Sequence, residues 1–187
     1  MINIYDNFLT EKEINDLFLF IEDKKYEKSK VGFNEISDGR TSTQINVSKD
    51  STIRNLCKRL ISDNSEFEVE ANIVKYEIGQ YVGLHHDEVD WDEDEEDLCE
   101  MYSEEVQYRK YSIIIFLTDD FEGGILSFPL LDIKIKPKIG KLVMFENVFN
   151  DLQVNKSVIH ESSVITKGVK IVLVIFISVN KITKVLN

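Results

Sequence analysis

The 187-residue chain has little that would tie it to a disulfide scaffold, a membrane or a nucleic acid. Its two cysteines, Cys57 and Cys99, have no framework spacing and read as free thiols of a reducing compartment. Only two prolines occur, and with abundant Ile, Lys and Asn this suggests an AT-rich genome, bacterial or viral. The longest apolar run, Ile171 to Val179 broken at Ser178, is too short to span a bilayer and reads as a buried strand. The opening Met1 to Asp6 has neither a basic n-region nor an apolar h-region, so no secretory signal is expected and the expected location is cytoplasmic. Lys and Arg number 22 against 34 Asp and Glu, a net charge of −12. That balance lacks the basic patch a nucleic-acid backbone demands, so neither nucleic acid nor membrane is an expected partner. Histidine is also scarce, with three in the whole chain.

What is present is ordinary for a globular protein: 43% hydrophobic and 30% charged residues, enough for one domain over 1–187 with its own core. The charge is unevenly placed. Residues 88–105 hold eleven acidic residues and no basic one, which leaves the rest of the chain at −1. This acidic loop, 88–107, has two readings. It is either a lid that steers basic segments of a protein substrate, or a solvated loop that serves solubility. Asp90, Asp92 and Asp94 mimic the first ligands of a calcium loop, but Glu95 and Met101 stand where that loop needs Gly and a bidentate Glu.

The first 65 residues read as a helical support. Thr10 and Glu13 form a capping box before Ile14, Leu17, Phe18 and Ile21, which follow the helical period. Residues 30–46 read as loop and edge strand, and Ser51 to Ser62 as a second helix. From 66 to 180 the pattern turns to strands: Glu66 to Tyr76, Tyr111 to Leu117, Ile125 to Phe128, Ile133 to Ile135, Lys141 to Phe145, Ser157 to Ser163 and Lys170 to Ser178, with a turn at Gly123-Gly124. Two helices followed by many short strands indicate an α+β domain with a jelly-roll-like double sheet.

All three histidines fall in His85-His86-Asp87 and His160. On a strand, His85 and Asp87 would point to one face, because the side-chain period is two. His160 can supply a distant third ligand. Two histidines and a carboxylate suit non-haem Fe(II) with open positions. Spacing alone also allows His86 with Glu88, or a surface His-His-Asp loop beside a core His160. Lys170, ten residues beyond His160, is placed to grip the far carboxylate of a keto acid.

The surrounding residues carry a family likeness. Tyr76 to Asp87, with Tyr, Gly79-Gln80 and His-x-Asp in register, resembles the metal strand of the prolyl 4-hydroxylase-like Fe(II)/2-oxoglutarate dioxygenases. Arg109 to Ser112 with Phe116 to Asp120, Phe121 to Gly124 with Phe128-Pro129, and Pro137 to Lys141 with Phe145 to Asn147 resemble successive segments of that family, and His160, Gly168 and Lys170 its distal His, Gly and Lys. Asn7-Phe8-Leu9 before a helix is similar to its opening. The resemblance spans nearly the whole chain, in order.

It implies a double-stranded β-helix (jelly-roll or cupin-like) with the N-terminal helices packed on one sheet. Fe(II) would be held by His85, Asp87 and His160, and the C5 carboxylate of 2-oxoglutarate by Lys170, with Tyr76 as an additional hydrogen-bonding group near the co-substrate. O2 would be the second co-substrate, ascorbate a possible reductant, and succinate the co-product. The implied substrate is a prolyl residue of a peptide or protein, basic and proline-containing if the acidic loop steers it, with Arg109, Trp91 and Tyr102 as candidate contacts. A free amino acid or other small molecule is the alternative substrate, and a non-catalytic metal-binding module the alternative function. A nucleic-acid demethylase of the wider superfamily is disfavoured by Lys170 and the missing basic surface. Four departures stand out: Leu126 where the family usually has Thr, Ser112 for another Thr, no Pro after the distal His, and no Trp in the final strand.

Overall fold

The computed structural model describes residues 2–29, 39–61, 67–88, 107–151 and 153–180. Helix α1 spans Glu11–Ile21 and starts as its capping box requires. Thr10 Oγ1 accepts from the Glu13 N–H at 3.2 Å, and the Glu13 carboxylate accepts from the Thr10 N–H at 2.8 Å. Helix α2 spans Ser51–Leu60, capped by Asp50, whose carboxylate accepts from the Thr52 N–H at 2.7 Å. Arg59, in the last turn of α2, reaches back to Glu13 at 2.6 Å and ties the two helices together. Among the described residues, no helix is long and apolar enough to cross a membrane.

The described residues form thirteen strands: β1 (Ile2–Tyr5), β2 (Glu27–Lys28), β3 (Thr43–Asn46), β4 (Glu68–Tyr76), β5 (Val82–His85), β6 (Gln107–Phe116), β7 (Phe121–Gly123), β8 (Leu126–Phe128), β9 (Ile133–Ile135), β10 (Leu142–Glu146), β11 (His160–Ser162), β12 (Ile165–Gly168) and β13 (Lys170–Asn180). The larger sheet runs β1-β10-β6-β13-β4-β3-β2, the smaller β5-β11-β8-β9, and β12 pairs with β7. Each of these pairings is antiparallel.

Side-chain alternation on the central strand β13 builds two cores at once. Leu173, Ile175 and Ile177 join Ile113 and Ile115 of β6 and the buried faces of α1 and α2 (Ile14, Leu17, Ile53, Leu56). Val172, on the opposite face, joins Val74, Phe116, Phe128 and Phe145 between the two sheets. The result is the expected α+β double-stranded β-helix with both helices on the outer face of the larger sheet.

Two local expectations are corrected. Within 30–46, residues 30–38 lie outside the described residues, and β3 is no edge strand, because β4 lies on one side and β2 on the other. Ile45 is buried against the helical layer, and the edge falls instead on the charged two-residue β2. The strand expected at 157–163 is shortened to β11, because a single 3-10 turn occupies Lys156–Val158.

Candidate functional site

The smaller sheet sets the geometry. In the β5–β11 ladder His85 is the direct partner of His160, so two residues far apart in sequence stand side by side, with ring centroids 4.3 Å apart. Each ring is oriented by its own backbone two residues earlier. His85 Nδ1 lies 2.8 Å from the Gly83 carbonyl and His160 Nδ1 lies 3.0 Å from the Val158 carbonyl. An Nδ1–H donated to a carbonyl leaves Nε2 as the free ligand atom.

Asp87 reaches the same point by a different route from the one its spacing suggested. Strand β5 ends at His85, and Asp87 sits in a bend beyond the ladder, so strand alternation does not place it. Strand β6 catches it instead. The Arg109 guanidinium donates to the Asp87 carbonyl at 3.2 Å, and Ser112 hydrogen-bonds its carboxylate. The carboxylate oxygens then lie 3.4 Å from His85 Nε2 and 3.7 Å from His160 Nε2. All three ligand atoms fall within 4.8 Å of one another, and His86 and Glu88 are not part of this group. Two imidazole nitrogens and one carboxylate at this spacing fit a single non-haem Fe(II) bound on one face.

Burial acts on all three groups. It works to raise the Asp87 carboxyl, but the imidazoles of His160 and His85 and the Ser112 hydrogen bond outweigh it, and the carboxyl lies well below its ordinary range. Burial pushes His160 down to about 4 against the pull of Asp87, so this ring is neutral. Burial also opposes the charge on His85, but Asp87 and the Gly83 carbonyl prevail and its pKa is raised. Metal binding would compete with the proton that Asp87 favours on His85.

Lys170 begins β13 opposite Tyr76 of β4 and is buried. Its Nζ donates to the Gly124 carbonyl at 3.0 Å and to Ser162 Oγ at 2.6 Å, and lies 5.2 Å from the Tyr76 ring centre. It makes no ion pair with any described residue, and burial pushes its pKa down to about 7. A buried ammonium without a counter-charge fits the terminal carboxylate of a keto acid. The triad and Lys170 line one open cleft, together with Arg40, Tyr76, Leu126 and Ser162.

Arg109 is engaged within the fold. Besides Asp87, it pairs with Glu70 at 2.8 Å and stacks over the Phe176 ring at 4.3 Å, while its backbone N–H donates to the Glu88 carboxylate. A bulge in the β6–β13 ladder beside Lys110 explains how Arg109 and Ser112, three apart, both reach Asp87. Trp91, Tyr102 and most of the acidic loop lie outside the described residues.

Sequence reading missed three features. Arg40 bridges to Val82 and lines the cleft. Ser162 contacts Lys170, and Asn147 donates to Ser112 at 2.7 Å. Arg40 sits in a stretch read only as loop and edge strand, and Ser162 is visible only through strand register. Asn147 and Ser112 stand in segments that carry the family likeness, but their contact with each other shows only in the fold.

The family model of the 2OG-Fe(II) oxygenase superfamily matches residues 71–178, more than half of the chain. The chain belongs to this superfamily, whose members use Fe(II), 2-oxoglutarate and O2. It is 26% identical over 155 residues to a protein of Acanthamoeba polyphaga mimivirus and 28% identical over 198 residues to one of Arabidopsis thaliana, both provisionally named prolyl 4-hydroxylases. These alignments take in 79% and 90% of this chain but 61% and 65% of the relatives' own lengths. The fold matches a viral collagen prolyl hydroxylase of Paramecium bursaria Chlorella virus-1, solved with 2-oxoglutarate. That match has a TM-score of 0.74 and 21% identity, and covers 95% of each chain. It also matches a Trichoplax adhaerens prolyl hydroxylase solved with a peptide of hypoxia inducible factor, with a TM-score of 0.69 and 12% identity, covering 94% of this chain and 82% of that one.

Proposed function

We propose that this chain is an Fe(II)- and 2-oxoglutarate-dependent dioxygenase that hydroxylates a prolyl residue in a peptide or protein. One observation carries the reading: His85, Asp87 and His160 converge within 4.8 Å in a cleft also lined by the buried Lys170, which makes no ion pair with any described residue. His85 Nε2, one Asp87 oxygen and His160 Nε2 would hold the metal. The bound iron, with 2-oxoglutarate and O2, supplies the oxidising power for C–H hydroxylation.

The chain's own residues do the rest. The Gly83 and Val158 carbonyls aim the imidazoles, while Ser112 and Arg109 fix Asp87. Lys170 anchors the far carboxylate of the co-substrate, and the Tyr76 ring walls the same end. Val172, Val174 and Leu126 give the cleft an apolar lining that limits water near the reacting centre. The prolyl target rests on the relatives named prolyl hydroxylases, one of them bound to a peptide. Arg109, Trp91 and Tyr102 are the residues proposed to meet substrate, and the acidic charge of 88–105 favours a basic peptide. Ascorbate is the proposed reductant.

The test is an anaerobic titration with Fe(II) and 2-oxoglutarate, followed by the visible charge-transfer band of the chelate, with His160→Ala as control. A band that needs both components and disappears in the variant supports the assignment. A folded, iron-loaded protein that gives no band overturns it.

A further inference from the structure

Leu126 and Ser162 are direct partners in the β8–β11 ladder, so their side chains rise from neighbouring strands on the same face. Both are buried, and both line the cleft beside Lys170. Leu126 offers no polar atom where the resembled family usually has threonine. Ser162 Oγ, one strand away, lies 2.6 Å from Lys170 Nζ.

The proton count at this pair is informative. A lysine ammonium has three N–H donors, and a serine hydroxyl has one donor and two acceptor positions. Lys170 spends one donor on the Gly124 carbonyl and one on Ser162 Oγ, which leaves a third. Ser162 Oγ accepts from Lys170, so its own O–H is left over and donates to no described residue. Two unused donors thus sit side by side in the wall of the cleft, matching the two oxygens of one carboxylate.

We infer that Ser162 is a second binding residue for the C5 carboxylate of 2-oxoglutarate, supplying from β11 the hydroxyl that Leu126 does not supply from β8. The inference rests on the oxygenase reading above. Lys170 donates to one carboxylate oxygen and Ser162 O–H to the other. The Lys170–Ser162 hydrogen bond holds the pair in place before the ligand arrives, which lowers the ordering cost of binding.

The test uses the full chain loaded with Mn(II), with 2-oxoglutarate binding measured by calorimetry. Ser162→Ala is expected to weaken 2-oxoglutarate by about tenfold or more, as for loss of a hydrogen bond to a charged group, while Mn(II) affinity stays unchanged. 2-Oxobutanoate, which keeps the keto acid but lacks the far carboxylate, should bind wild type and Ser162→Ala equally. Adding Leu126→Thr to Ser162→Ala should restore most of the lost 2-oxoglutarate affinity, a rescue that general damage to the fold would not give. If wild type binds 2-oxoglutarate and Ser162→Ala binds it within twofold of wild type, this inference is wrong and the oxygenase reading stands. If Mn(II)-loaded wild type does not bind 2-oxoglutarate at all, the oxygenase reading itself fails and this inference fails with it.

Discussion

Asn147 Nδ2 donates a 2.7 Å hydrogen bond to Ser112 Oγ, and that hydroxyl in turn serves the Asp87 carboxylate. In this orientation Asn147 Oδ1 has no hydrogen-bond partner among the described residues, while the Ser112 hydrogen is left for Asp87. Groups that orient a metal ligand commonly contribute 10- to 100-fold to metal affinity. Ser112→Ala is therefore expected to weaken Mn(II) or Fe(II) binding by about that factor, and Ser112→Thr to retain it. Metal titration of the two variants decides; equal affinity in Ser112→Ala and wild type would remove Ser112 from this role.

If Lys170 anchors 2-oxoglutarate as proposed, co-substrate binding is expected to depend on pH. Burial lowers its pKa to about 7 in the empty cleft, and a bound carboxylate favours the charged form. Below pH 7 the ammonium is already present. Above pH 7 each binding event must draw a proton from solvent, so 2-oxoglutarate affinity falls as pH rises. Calorimetry in buffers of different ionisation enthalpy should show proton uptake at pH 8 and little at pH 6. Lys170→Ala should raise the 2-oxoglutarate requirement sharply and abolish the uptake, while metal binding persists.

The same residue affects stability with the opposite pH trend. Its folded pKa lies below the ordinary lysine value of 10.5, so between about 7 and 10.5 the unfolded chain binds more protons than the folded one. The contribution of Lys170 to stability therefore rises with pH across that window, and its full penalty is felt below pH 7. Urea unfolding of the metal-free protein should find Lys170→Met more stable relative to wild type at pH 6 than at pH 10. A pH-independent difference would mean that Lys170 is not buried as an ammonium.

Gly123 and Gly124 both have positive φ, 86° and 60°, yet they constrain different things. A Cβ at Gly123 would overlap the Val164 carbonyl, which is backbone and cannot yield. A Cβ at Gly124 would sit 2.9 Å from Lys170 Cδ and 2.7 Å from Ile165 Cδ1, both side-chain atoms that can move. Gly123→Ala should therefore be the more destabilising change, beyond the roughly 1–2 kcal/mol of a left-handed non-glycine residue. Gly124→Ala should fold and bind metal but lose 2-oxoglutarate affinity, because the lysine stem is displaced. Thermal melts and co-substrate titrations separate the two.

Arg109 serves the metal strand before any substrate. Its guanidinium holds the Asp87 carbonyl at 3.2 Å and Glu70 at 2.8 Å. Arg109→Gln is expected to weaken metal binding severalfold, whereas a residue that only contacts substrate would leave metal binding untouched. Metal titration without any substrate distinguishes these.

Much of this molecule is legible in the sequence, for identifiable reasons. Thr10 and Glu13 announce α1 because capping is a local interaction, and the apolar run at 171–179 announces β13 because a strand buried on both faces has no polar alternation to hide it. His85, Asp87 and His160 stand out because histidine is rare here. The placement of Asp87 was not legible. Spacing suggests strand alternation, but the ladder stops at His85 and contacts with β6, distant in sequence, decide where the carboxylate lies. Ser162 was hidden for the same kind of reason: its importance comes from lying across from Leu126 and beside Lys170, and register between strands leaves no mark in spacing along one strand.

Strand β13 lies between β4 and β6 in the middle of the larger sheet, and Lys170 is its first residue. During synthesis this strand is translated after both of its sheet neighbours and after all three candidate metal ligands. A nascent chain halted before residue 170 would carry His85, Asp87 and His160 but would lack both the strand at the centre of the sheet and the lysine proposed to anchor the keto acid. On the proposed roles, completing the core and gaining the co-substrate anchor are one event, so a partly made chain that captures iron would lack the anchor that couples it to 2-oxoglutarate.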